Sequence, residues 1–93
     1  MEILHSDDGK KGSFYIELEG NKEGEMTYVW AGETKFIIDH TEVSEKLKGK
    51  NAGKQLLQEA VNFAREKQVK IMPLCPFAKA MFDKIPEHSD VLF

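Results

Sequence analysis

The chain has 93 residues, a formal net charge of −3, 41% hydrophobic and 31% charged residues, and a single cysteine, Cys75. That length suits one domain, residues 1–93, which buries only about 60–65% of the surface its unfolded form exposes and so depends on one compact core. Sixteen acids outnumber thirteen lysines and arginines, which argues against the basic face that nucleic-acid binding requires. No apolar run approaches the roughly 20 residues of a membrane span, and Met1–Lys11 carries Glu2, Asp7 and Asp8 where a signal peptide needs a positive start and an apolar stretch. A cytoplasmic location is therefore expected. A lone cysteine cannot form an internal disulfide, which fits a reducing compartment.

Ile3 and Leu4 predict a short first strand. Ser13–Glu19 alternates Phe14, Ile16 and Leu18 with Tyr15, Glu17 and Glu19, the period of two of a half-buried strand. Gly20, Asn21 and Gly24 mark a turn; Glu25–Trp30 and Lys35–Val43 follow as further strands, separated by Ala31–Thr34. Strands about ten residues apart read as an antiparallel meander. From Asn51 the period becomes helical, with Ala52, Leu56, Leu57, Ala60, Val61 and Ala64 on one stripe and an end near Gln68. Val69–Leu74 reads as a strand returning to the sheet. Pro76 suits the first turn of a second helix, whose stripe of Phe77, Ala78, Met81, Phe82 and Ile85 runs to Pro86. The predicted class is α+β: a meander, then a β-α-β unit whose two strands pair in parallel, then a C-terminal helix.

The segment between the fourth strand and the first helix, EKLKGKNAGKQLL, changes from charged to apolar through Gly49 and Gly53. Little side-chain bulk there leaves backbone N–H groups free to converge on one anion, helped by the positive end of the helix dipole and by Lys48, Lys50 and Lys54. The segment is thus either a phosphate cradle or a basic turn that only connects two elements. It is not a P-loop, because three residues separate the glycines and Gln55 follows Lys54, and it lacks the third glycine of a dinucleotide fingerprint.

VSEKLKGKNAGKQLLQEAV resembles the acyl-CoA loop and helix of the GNAT superfamily of N-acetyltransferases, whose signature is Arg or Gln, two residues, Gly, one residue, then Gly or Ala. IIDHTEV before it and PLCPFAKAMFDK after it resemble the minimal single-domain branch of that superfamily. Lys48 stands at the Arg or Gln position, Asn51 at the first glycine and Gly53 at the last residue. Asparagine is the side chain most tolerant of left-handed backbone, so the loop can keep its shape.

The resemblance implies a GNAT-like fold with a splayed central strand pair, and an acetyl-CoA-dependent transfer to an amine of a small molecule or peptide. Acetyl-CoA is the expected co-substrate, and no metal is expected. Lys48, Gly49, Lys50, Asn51, Ala52, Gly53 and Lys54 would hold the diphosphate, chiefly through backbone N–H groups. Thr41, Glu42 and Val43 would line the pantetheine arm, with the Val43 N–H directed at the thioester carbonyl. Cys75 and Phe77 would complete the cofactor contacts. Many relatives carry a tyrosine that protonates the leaving thiolate; Phe82 takes its place here.

Cys75 precedes a helix, where the dipole favours a thiolate. Its candidate roles are acid for the leaving thiol or acetyl-carrying nucleophile, and the alternative is a small apolar residue in the core. His40 is the candidate to take the amine's proton or to poise Cys75, or else a structural hydrogen-bonder. Glu42, two residues on and so on the same face, is a weaker candidate base. His5 and His88, in the terminal segments, read as solvated surface; Phe14, Tyr28, Trp30, Phe63, Phe77 and Phe82 fall at core-packing period. Two other functions stay open: a non-catalytic acyl-CoA binding or sensing module, and a small interaction domain with no cofactor.

Overall fold

The computed structural model describes residues 1–93. Alternating apolar residues build four antiparallel strands, β1 (Leu4–Asp7), β2 (Lys11–Leu18), β3 (Asn21–Trp30) and β4 (Lys35–Val43). A 3-10 turn (Glu45–Leu47) and α1 (Ala52–Lys67) then lead to β5 (Lys70–Pro73), which pairs in parallel with β4. The chain closes with α2 (Pro76–Lys84) and a 3-10 helix (Pro86–Val91). The sheet order is β1-β2-β3-β4-β5, the expected α+β arrangement.

One face of the sheet supplies the core. Phe14, Ile16, Met26, Tyr28, Phe36, Ile38 and Ile71 are buried against Leu56, Leu57, Ala60, Val61 and Ala64 of α1 and Ala78 and Phe82 of α2. Each large side chain so buried contributes about 1.5–3 kcal/mol. Both helices therefore cover this one face, and the other face of the meander is free of helices.

The start of β3 and the end of β1 differ from expectation for local reasons. β3 starts at Asn21 because Glu19 (φ 52°) and Gly20 (φ 82°) are both left-handed, the two-residue hairpin geometry that matches strand twist. Gly24 then lies inside the strand, and a Cβ there would stand 3.2 Å from Leu47 Cδ1; it marks a close approach. β1 runs on to Asp7, whose Oδ2 accepts from Tyr28 Oη at 2.5 Å and Trp30 Nε1 at 2.9 Å. Burial and that carboxylate hold the Tyr28 phenol protonated.

The C-terminal segment is strapped down. Arg65 donates from Nε and Nη2 to Asp90 at 2.9 Å each and to the Glu87 carbonyl at 2.8 Å. His88 is consequently 4% exposed, with its ring edge toward Phe82. This corrects the reading of His88 as solvated surface. His5 also does more than face solvent: it stacks on Phe14 and its Nε2 lies 2.6 Å from Tyr28 Oη.

Candidate active site

The β4–β5 ladder ends early. Pairing runs from Lys35–Lys70 to Ile38–Pro73, after which the Leu74 and Cys75 N–H groups both donate to the Ile38 carbonyl at 3.0 Å. Pro73 brings no N–H of its own to the ladder. Beyond that point β4 keeps its pairing with β3 but has none with β5, so the two parallel strands part.

A bulge sits at the same place. Tyr28 pairs with Ile38 and Thr27 with His40, which leaves Asp39 as an extra residue in β4. An extra residue reverses which side chains face the helices. Thr41, opposite buried Met26, lies on the helix face; His40, opposite Thr27, lies on the open face with Glu42. The expected His40–Glu42 proximity is present, with Nε2 and Oε2 3.8 Å apart. The expected proximity of His40 to Cys75 is not, because the bulge puts them on opposite faces.

Cys75 is the N-cap residue of α2, directly before Pro76. It is 4% exposed, and its thiol donates to Thr41 Oγ1 at 3.3 Å. The sulfur thus closes the inner end of the strand gap against β4. Phe82 is buried in the same core.

The loop ahead of α1 has the conformation its residues suit. Gly49 (φ 80°) and Asn51 (φ 56°, ψ 35°) are both left-handed. Asn51 offers no side-chain cap and the first turn contains no acid, so the Ala52, Gly53 and Lys54 N–H groups have no partner inside the helix. Gln55 steadies the loop by donating from Nε2 to the Lys50 carbonyl at 2.9 Å. Gly53 is needed for a different reason: a Cβ there would fall 2.5 Å from Phe77 Cζ.

Thr41, Val43, Leu47, Lys48, Gly49, Asn51, Ala52, Gly53 and Phe77 line one cavity of about 400 Å³. Eight of the expected cofactor contacts therefore converge. Leu47 is an addition that charge pattern alone did not reveal; Ser44, which caps the 3-10 turn through Lys46 N, was the available sequence clue. Lys50 and Lys54 ring the loop without lining the cavity, and Cys75 is sealed beneath it. Glu42 belongs elsewhere: its side chain lines a depression with Lys22, Glu25 and Ser44. No group of three or more metal-binding side chains occurs.

An anion-ready helix start beside parting parallel strands is a specific combination, and comparison with known proteins agrees with it. The family model of GCN5-related N-acetyltransferases matches residues 13–91. The chain belongs to that family. The NMR structure of a GCN5-like protein from Staphylococcus aureus is 40% identical, with a TM-score of 0.76 over 99% of this chain and 87% of its own.

More distant members share the acetyltransferase fold. A ribosomal-protein-alanine N-acetyltransferase from Brucella melitensis is 19% identical with a TM-score of 0.69, covering 84% of this chain and 62% of its own. A GNAT acetyltransferase from Elizabethkingia anophelis, solved with acetyl-CoA bound, is 18% identical with a TM-score of 0.59, covering 69% and 42% respectively. The search of curated proteins gave no match. Within the family's fold, the loop ahead of α1 is where helix-start N–H groups without an intrahelical partner and a cavity coincide, next to the end of the β4–β5 ladder.

Proposed function

We propose that the protein transfers an acetyl group from acetyl-CoA to a primary amine. The observation that carries this reading is the coincidence of the strand break after Ile38 and Pro73 with the cavity at the start of α1. The Gly49–Lys54 loop would take the diphosphate through unpaired N–H groups, with Lys48, Lys50 and Lys54 adding charge. The Val43 backbone and Leu47 and Phe77 side chains would take the pantetheine arm, bringing the thioester to the gap beside Thr41 and Cys75.

The amine approaches from the open face, where His40 and Glu42 lie. Its nitrogen attacks the thioester carbonyl carbon, a C–N bond forms, and the C–S bond breaks. The nitrogen loses one proton, to His40 directly or to Glu42 through water, and the departing sulfur gains one. Cys75 is placed to supply it and is reprotonated once departure of coenzyme A opens the gap to water. A preorganised N–H donor for the carbonyl oxygen and a positioned acid and base are what such a step requires.

Phe82 has no proton to give and Cys75 is sealed from bulk water, which favours a second reading: a module that binds acyl-CoA without turning it over. Thiol release with saturating acetyl-CoA and a panel of amines separates the two. The first reading expects release with at least one amine, a large loss of turnover in Cys75→Ala and partial retention in Cys75→Ser, which keeps the Thr41 contact. Acetyl-CoA bound with no release from any amine supports the second reading. A Cys75→Ala protein with wild-type turnover removes the thiol from the mechanism.

A further inference from the structure

The helix-free face of the sheet carries a feature that the cofactor cavity does not use. The register aligns Ser6 of β1, Ser13 of β2, Thr27 of β3 and His40 of β4 in one row across the strands. Small hydroxyl side chains lower the floor of this row. The flanking rows stand higher, with Tyr15, Glu25 and Glu42 on one side and Lys11, Val29 and Ile37 on the other. The result is a trough of about 430 Å³ lined by Ser6, Ser13, Thr27, Glu25, Asp39 and their neighbours. It spans four strands, about 14 Å at a 4.7–4.9 Å spacing. One end is the β1 edge; the other is the bulge residue Asp39, next to the β4–β5 gap.

Two independent observations mark the trough as built for a ligand. Ser13 is only 8% exposed on an otherwise open face, yet its hydroxyl has no hydrogen-bond partner in the chain and faces the trough. Asp39 Oδ1 is engaged by the Thr27 hydroxyl at 2.5 Å, which orients the carboxylate and leaves Oδ2 free. The charge adds a sign. Asp8, Glu25 and Asp39 line the trough with one lysine, Lys11, and Glu42 continues the acidic run directly opposite Glu25. Like charges directly opposite in a sheet are destabilising unless something cationic offsets them. The chain itself seats one ammonium on this face: Lys22 Nζ lies 3.1 Å from Glu25 Oε2 and 4.7 Å from the Tyr15 ring centroid.

We propose that this trough is the acceptor site and that its ligand is a short aliphatic amine carrying a second positive charge, a diamine or polyamine. The proposal rests on the transferase reading and names its acceptor. The reacting nitrogen lies at the gap beside His40. The second ammonium lies one strand spacing back, about 5 Å, between Asp39 Oδ2 and Glu25, which suits a linker of three or four methylenes. Further amine or hydroxyl groups reach Ser13 and Ser6. A peptide fits less well, because backbone groups in mid-sheet are already paired between strands and leave its amides unmatched.

Two measurements test this. In thiol release with saturating acetyl-CoA, 1,4-diaminobutane and spermidine should exceed butylamine and a lysine-containing tripeptide by about tenfold or more in kcat/KM. Raised salt should shrink that preference. Asp39→Asn should reduce the diamine preference while the acetyl-CoA dissociation constant stays unchanged. Separately, spermidine added to the protein should shift the amides of Ser13, Thr27 and Asp39 saturably, whether or not turnover occurs. Bound acetyl-CoA with equal turnover of butylamine and diaminobutane overturns this inference and leaves the transferase reading intact. So does spermidine at millimolar concentration with no shift in those three amides. Failure to bind acetyl-CoA overturns both.

Discussion

Gly53 illustrates how one hydrogen atom can carry two duties. Alanine at this helical position gains about 1 kcal/mol in propensity, but its Cβ would meet Phe77 Cζ at 2.5 Å. The ring is at the partly exposed end of a flexible side chain and can swing away. Gly53→Ala is therefore expected to leave the melting temperature nearly unchanged while displacing the cavity wall, weakening CoA binding several-fold in calorimetry. Unchanged affinity would remove Phe77 from the cofactor site.

His88 makes a pH prediction. Its Nδ1 is buried without a partner, and its pKa is lowered from 6.5 chiefly by burial, then by Arg65 and Lys54 against the opposing pull of Asp90 and Glu87. The folded chain thus binds fewer protons than the unfolded chain just below pH 6.5. Its contribution to stability is complete above that value and is lost as pH falls toward the folded pKa. His5, lowered mainly by burial, has the same sign. His88→Leu should be neutral or stabilising by up to about 1 kcal/mol at pH 7, since it removes an unsatisfied buried group. Denaturant melts between pH 7 and 5 should fall less steeply for the variant, and identical slopes would contradict the assignment.

At the scale of elements, the C-terminal 3-10 helix is held to α1 by the Arg65–Asp90 fork and the bond to the Glu87 carbonyl. Arg65→Ala should lower the melting temperature and speed hydrogen exchange at Leu92 and Phe93, whose N–H groups bond to Ser89 and Ile71. The amides of the β2–β3 ladder should keep their protection. Uniform exchange across both regions would mean that the strap stabilises the whole molecule and not one segment.

The same scale shows where sequence reading succeeds. Strands β2 and β4 and helix α1 were legible because one face of each is buried, so period alone reports them. The loop ahead of α1 was legible because Gly49 and Asn51 are residue types that accept left-handed backbone. The bulge at Asp39 was not legible, because nothing in KFIIDHTEV announces an extra residue. Strict alternation from Ile38 leads to His40 on the helix face; the bulge sends Thr41 there instead, and with it the partner of Cys75. Gly24 was misread as a turn because its cause, Leu47, lies far along the chain. His88 was misread because its burial depends on Arg65, which is equally remote.

At the scale of the molecule, the site is divided by the sheet. The proposed cofactor cavity and Cys75 lie on the helix face; His40, Glu42 and the hydroxyl trough lie on the other. Between them lies the place where β4 and β5 stop pairing. This division explains how so short a chain can offer two binding surfaces: one is built by α1 and its loop, the other by the bare back of the meander. On the proposed mechanism it also separates the proton traffic, with the amine's proton leaving on the open side and the thiol's proton arriving on the helix side.

The proposed function requires the loop ahead of α1 to grip the diphosphate of coenzyme A. Amide chemical shifts during a coenzyme A titration test it most directly. Saturable shifts are expected at Gly49–Lys54, smaller shifts at Thr41 and Val43, and little change at the far end of the sheet, at Trp30 and at Phe63 of α1, which packs on it. No shift at the loop with millimolar coenzyme A, or shifts confined to that far end, would contradict it.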